Sequence, residues 1–199
     1  MHNAIIHRRS LRLRGYDYST AGAYFVTICA QDRACVFGDV ADDAMVLNDA
    51  GQMVAALWAG IPARFPKVEI DRFVVMPNHL HGILFLPDTE DAGATMPDKG
   101  ATTRVAPTSE SVGAPLVGAP MAHVRLGDIV GAFKSLTTVA YIDGVNSNGW
   151  PEFRGRLWQR NYYEHIIRDE PALNRIRRYV EENPARWDLD EENPQKAMP

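Results

Sequence analysis

Two short runs hold the residue types from which a reaction centre can be built. The first is Asn78-His79-Leu80-His81. On a β-strand the side chains alternate faces, so both imidazoles project together while Leu80 turns the other way, into the core. Two convergent neutral imidazole nitrogens are a natural ligand pair for a divalent cation. Two polar residues on a solvated sheet face would satisfy the same pattern. The second run is Arg178-Tyr179-Val180-Glu181-Glu182-Asn183-Pro184. Residues four apart share a helical face, which makes the Tyr179 phenol and the Asn183 carboxamide neighbours. An Asn can add an oxygen ligand to a His pair, and a tyrosine can act as a covalent nucleophile. Tyr179 also fits a plainer role, as core packing beside Ile176 and Val180.

These side chains need a scaffold. Residues 23–31 are β-branched and aromatic and read as a strand. Residues 47–64 read as a helix capped by Asn48 or Asp49, with Met53, Leu57 and Ile61 on one face. Two apolar β runs, 68–75 and 79–86, flank Met76-Pro77-Asn78, whose turn chemistry predicts an antiparallel hairpin. Residues 125–142 place Leu126, Ile129, Val130, Phe133 and Leu136 at helical spacing. Residues 157–168 read as a further strand. Asp169 then caps a helix with Pro171 in its first turn and Leu173, Ile176 and Val180 on its apolar face, ended by Pro184. The expected fold is α+β, a ferredoxin-like or RRM-like sandwich with helices packed on one face of an antiparallel sheet.

Residues 88–122 break the pattern. They are rich in Pro, Gly and Ala, repeat Val-Gly-Ala-Pro at 112–115 and 117–120, and predict a flexible insertion. The expected organisation is one domain over 1–187, interrupted by that insertion, followed by a loose acidic tail over 188–199. No apolar run approaches the roughly 20 residues of a membrane span. Cys29 and Cys35 form no CxxC motif and suit a reducing cytoplasm. The formal net charge of −4 excludes a uniformly basic nucleic-acid binder, but the charge is unevenly spread. Residues 1–16 carry four Arg and no acid, and residues 154–179 carry seven Arg against three acids. Arg, with its planar fork, suits bidentate contacts to phosphate.

Together the two chemical runs resemble the HUH endonuclease superfamily, and within it the single-tyrosine transposases, closest to the REP-associated tyrosine transposases. Val74-Val75-Met76-Pro77-Asn78-His79-Leu80-His81-Gly82 is similar to the family block VMPNHxH, and Tyr179–Pro184 to YIxxNP. Residues 157–168, LWQRNYYEHIIR, are similar to WQxxYYDHxIR, and residues 126–136 resemble the helix between these blocks. The blocks stand in the family's order, over roughly residues 8–88 and 123–187. Position 183 is Asn where many relatives of the insertion-sequence branch have Gln.

The resemblance implies a DNA nicking and joining enzyme acting on single-stranded DNA with hairpin or palindromic structure. Tyr179 is then the nucleophile, leaving a 5′-phosphotyrosine and a free 3′-hydroxyl. His79, His81 and Asn183 are implied to hold Mg²⁺ or Mn²⁺. Arg12, Arg14, Arg156, Arg160 and Arg178 are candidates for phosphate contacts and Trp158 for base stacking, with the chain acting as a monomer or homodimer. Three other readings use the same residues. They are a non-catalytic single-strand nucleic-acid binding module, a domesticated nickase acting on repeated palindromic elements, and a small hydrolase using the His pair with water. Tyr162 and Tyr163 are rival nucleophiles.

Overall fold

The structure is a computed structural model and describes residues 20–87 and 124–196. Arg12, Arg14 and the insertion expected at about 88–122 lie outside the described residues. The elements run β1 (Gly22–Cys29), β2 (Gly38–Ala41), β3 (Ala44–Leu47), α1 (Asp49–Ala59), α2 (Ile61–Arg64), β4 (Glu69–Val75), β5 (His79–Leu86), α3 (Leu126–Asn148), β6 (Tyr163–Ile167) and α4 (Glu170–Glu182). Short 3-10 turns occupy Gln31–Arg33 and Pro184–Leu189.

Four strands form one antiparallel sheet in the order β4-β5-β1-β6. The α+β class, the antiparallel sheet and the hairpin at Met76-Pro77-Asn78 agree with the expectation, and Met76 N–H closes that turn on His79 O at 2.7 Å. The main core lies on one face, where Tyr24, Val26, Ile28, Leu80 and Leu84 meet Val54 and Trp58 of α1 and Leu126, Ile129 and Phe133 of α3. Contrary to the expectation that all helices share a face, α4 packs on the other side. There Leu173 and Val180 meet Ala23, Phe25, Ile83 and Ile167. The reason lies in the sheet itself, because Phe25, Ile83 and Phe85 give its second face an apolar strip that needs cover.

Several local expectations shift. Asn48 does cap α1, its Oδ1 accepting from Gly51 N–H at 2.9 Å. The helix stops at Gly60, however, and its buried face is Ala50, Gly51, Val54 and Trp58 rather than Met53 and Leu57. Pro62 opens the separate turn α2, which carries the buried Ile61. In α3 the apolar stripe runs through Thr137 and Tyr141, while Leu136 is exposed. The aromatic run 157–168 divides into an isolated bridge between Trp158 and Ala30 and the strand β6. Lys134 of α3 spans that division, its Nζ donating to the carbonyls of Gln159 and Asn161 at 3.0 and 3.2 Å. Burial there lowers its pKa to about 8.

Candidate active site

The site is built on the two central strands. Thr27 pairs with His81 and Cys29 with His79 across β1 and β5, and both imidazoles face the α4 side. His79 and His81 are buried, as are Asn78 and Asn183. The two Nε2 atoms lie 3.0 Å apart. Neighbouring ligands of an octahedral ion at about 2.1 Å stand about 3.0 Å from each other, so this spacing suits one shared cation. Each Nδ1 is anchored on oxygen, His81 to Thr27 Oγ1 at 2.8 Å and His79 to Asn78 Oδ1 at 2.9 Å.

Helix α4 brings the tyrosine. Asp169 caps it, Oδ1 accepting from Ala172 N–H at 2.7 Å, and Pro171 sits in its first turn. Two ion pairs fasten it to the edge strand β4, Arg177 with Asp71 at 2.6 Å and Arg72 with Glu181 at 3.0 Å. The hydrogen bond to Asp71 raises the Arg177 pKa further, so that clamp keeps its charge. Tyr179 stands at the edge of the buried stripe of α4 and is 40% exposed. Its hydroxyl is 3.2 Å from His81 Nε2. Phe25 holds both rings, stacking on His81 at 5.3 Å and meeting Tyr179 edge-on at 5.9 Å. Tyr163 lies on the same sheet face, opposite Thr27, whereas Tyr162 packs against the main core.

Asn183 follows α4 and starts the turn that Pro184 continues. That turn returns the chain to the histidines. Of the segment 188–199, expected as a loose tail, the described part (188–196) is tied down by a buried Glu192 that pairs with Arg33 at 3.0 Å. Asp190 thereby comes within 4.0 Å of His79 Nε2 and 3.4 Å of Asn183 Nδ2. His79, His81 and Asp190 form a group whose ligand atoms all lie within 4.8 Å of one another. A carboxylate only accepts hydrogen bonds, so the NH₂ of Asn183 faces Asp190 and its Oδ1 is left buried with no hydrogen-bond partner among the described residues. An orphaned buried carbonyl oxygen beside two imidazoles and a carboxylate is a mixed nitrogen and oxygen donor set. A divalent cation such as Mg²⁺ or Mn²⁺ fits it.

The outer face of α4 is polar and open. Arg175, Arg178, Tyr179, Glu182 and Arg186 line a groove of about 220 Å³. Arg186 is engaged with Glu182 at 2.6 Å, while Arg175 and Arg178 have no ion pair among the described residues. The structure thus brings Tyr179, His79, His81 and Asn183 together, with Arg178 beside them. Arg156 and Arg160 are exposed on the stretch between α3 and β6 and do not line this groove. The expectation that Trp158 stacks on bases is wrong. Trp158 is 4% exposed, packs between Phe37 and Phe133, and donates its indole N–H to Thr137 Oγ1 at 2.7 Å. A strand's alternation puts half its aromatics inside, and Trp158 falls on that half. Asp190 escaped the sequence reading because it sits in an acidic stretch with no ligand spacing. Arg175 was within reach of it, standing four before Tyr179 on the same face of α4, whereas Arg186 lies beyond the helix in the turn that Pro184 opens.

No family model matches the chain. A Haemophilus influenzae protein described as uncharacterized is 38% identical over 190 residues, covering 94% of this chain and 93% of its own. Among solved structures, that of a REP-associated tyrosine transposase bound to a REP hairpin matches 86% of this chain and 71% of its own. The TM-score is 0.51 at 17% identity, a likeness of fold.

Proposed function

The chain belongs to the same family as the Haemophilus influenzae protein and has the fold of a REP-associated tyrosine transposase, and on that footing we propose that it cleaves and rejoins single-stranded DNA at or near hairpins. One observation carries the reading, the Tyr179 hydroxyl lying 3.2 Å from a His81 nitrogen that is itself 3.0 Å from His79. A tyrosine with only a packing role would have no reason to present its oxygen, partly exposed, to a buried histidine pair.

A phosphodiester resists attack because the nucleophile must approach an anion. A divalent ion held by His79, His81, Asp190 and Asn183 would, when bound, draw charge from a non-bridging phosphate oxygen. The rest falls to the chain's own residues. Phe25 and the clamped helix α4 hold the Tyr179 ring so that its oxygen faces the site. That oxygen attacks phosphorus, and the proton it gives up is balanced by the one that the departing 3′ oxygen takes up. The bond from phosphorus to the 3′ oxygen breaks, releasing a 3′-hydroxyl and leaving the 5′ phosphate on Tyr179. The phosphotyrosine keeps one phosphoester bond for each one broken, so a second 3′-hydroxyl can reverse the step and join strands. Arg175 and Arg178 line the groove beside Tyr179 and suit the phosphates that flank the cleaved bond.

The test is to mix the protein with hairpin DNA labelled at its 3′ end, with Mn²⁺ or Mg²⁺ and separately with EDTA, and to run denaturing gels. The expected result is a labelled protein adduct with metal and none in EDTA. Cleavage undiminished in EDTA, or release of free ends with no adduct, overturns the reading.

A further inference from the structure

Asn78, beside the proposed metal site, is wholly buried, and its amide makes three hydrogen bonds. Its Nδ2 donates to two backbone carbonyls, Glu192 O at 2.8 Å and Arg33 O at 3.0 Å. Carbonyls only accept, so these two bonds fix which end of the amide is NH₂ and leave Oδ1 facing His79 Nδ1 at 2.9 Å. Oδ1 in turn can only accept, so Nδ1 must carry the hydrogen. A neutral imidazole has one N–H, and His79 Nε2 is thereby left as the lone-pair nitrogen that a cation needs. His81 is held differently, because the Thr27 hydroxyl on its Nδ1 can donate or accept.

The other end of the same amide controls a second candidate ligand. Glu192, whose carbonyl Asn78 holds, donates its N–H to Asp190 Oδ1 at 2.7 Å. Asp190 Oδ2 lies 4.0 Å from His79 Nε2. Arg33, the second carbonyl, adopts φ 55°, a left-handed conformation uncommon outside glycine, and its side chain pairs with Glu192.

We infer that Asn78 is a positioning residue that fixes His79 in its Nδ1–H tautomer with one end of its amide and tethers the turn carrying Asp190 with the other. The inference rests on the metal-site reading above, and its test is independent of DNA cleavage. In protein labelled with ¹⁵N-histidine, at a pH where imidazole is neutral, long-range ¹H–¹⁵N spectra report which ring nitrogen is protonated. The His79 signal is assigned by its loss in His79→Gln. The expected result is an Nδ1–H tautomer for His79 without metal. Mn²⁺ affinity, followed by the loss of the free-ion EPR signal, should fall about 10- to 100-fold in Asn78→Ala. Asn78→Asp keeps an acceptor beside Nδ1 and should keep the tautomer. An Nε2–H tautomer in the wild type overturns the inference, as does a folded Asn78→Ala that binds Mn²⁺ as the wild type does. If Asn78→Ala fails to fold, the wild-type spectrum decides. A wild type that binds no Mn²⁺ sinks the metal-site reading, while the tautomer remains settled by the spectrum.

Discussion

Replacing Tyr179 with Phe removes one oxygen and nothing else, which separates chemistry from scaffold. The ring keeps its edge contact on Phe25 at 5.9 Å and its approach to His81 at 5.2 Å. The 3.2 Å hydrogen bond to His81 Nε2 is lost. A hydrogen bond of that kind is worth about 1 kcal/mol net, and less where one partner is 40% exposed. For a chain of this size 1 kcal/mol moves Tm by roughly 2–4 °C, so the variant should melt within roughly 4 °C of the wild type. Cleavage should fall by at least about 10³-fold, since the proposed nucleophile is gone. The assay pairs thermal melts with denaturing gels of hairpin DNA labelled at the 3′ end. An adduct formed by Tyr179→Phe at the wild-type rate refutes the argument and points to Tyr163, which shares the sheet face. A fall in Tm much beyond 4 °C refutes the claim that the hydroxyl is not structural.

Other substitutions probe other parts of the molecule. His79→Ala and His81→Ala should each abolish adduct formation, whereas Asn183→Ala should be milder and recover at higher Mn²⁺, as metal titrations of the gel assay will report. Arg175→Ala with Arg178→Ala, in a Tyr179→Phe background in EDTA, should make the log–log salt dependence of hairpin binding shallower by about 1.4, or about 0.7 per lost phosphate contact. An unchanged slope would remove that groove from the DNA path. Gly82→Ala would put a methyl 2.4 Å from the fully buried Trp58 ring, and such overpacking costs about 3 kcal/mol, or roughly 10 °C in a thermal melt.

The sequence reading went furthest where one local rule had no competitor. The alternation of His79, Leu80 and His81 placed the imidazoles on the face away from the core, and register with β1 keeps them there. Asn48 and Asp169 each announced a helix start with a side chain that does cap it. The hairpin of β2 and β3 went unread because its strands have four residues each and Asp42-Asp43 supplies the turn. Both aspartates adopt positive φ, the conformation of a two-residue hairpin, but Asp-Asp signals it more weakly than Asn-Gly. The burial of Trp158 and the place of Asp190 beside the histidines have a shared cause. Where each lies depends on contacts with distant chain, Trp158 with Thr137 and Asp190 with His79 and Asn183, and no spacing within a local window encodes such contacts.

The ion pairs that clamp α4 to β4 have a consequence for how the reaction depends on protein concentration. Arg177 with Asp71 and Arg72 with Glu181 seat the tyrosine helix on the strands of its own chain, and Tyr179 meets the His81 of that same chain. On the proposed reading the nucleophile and the candidate ligands all come from one polypeptide, so turnover should be first order in protein down to high dilution. Mixing the Tyr179→Phe and His79→Ala variants should restore nothing, because neither can lend its intact half to the other. Activity regained in that mixture would mean the helix leaves its own sheet and serves a neighbour.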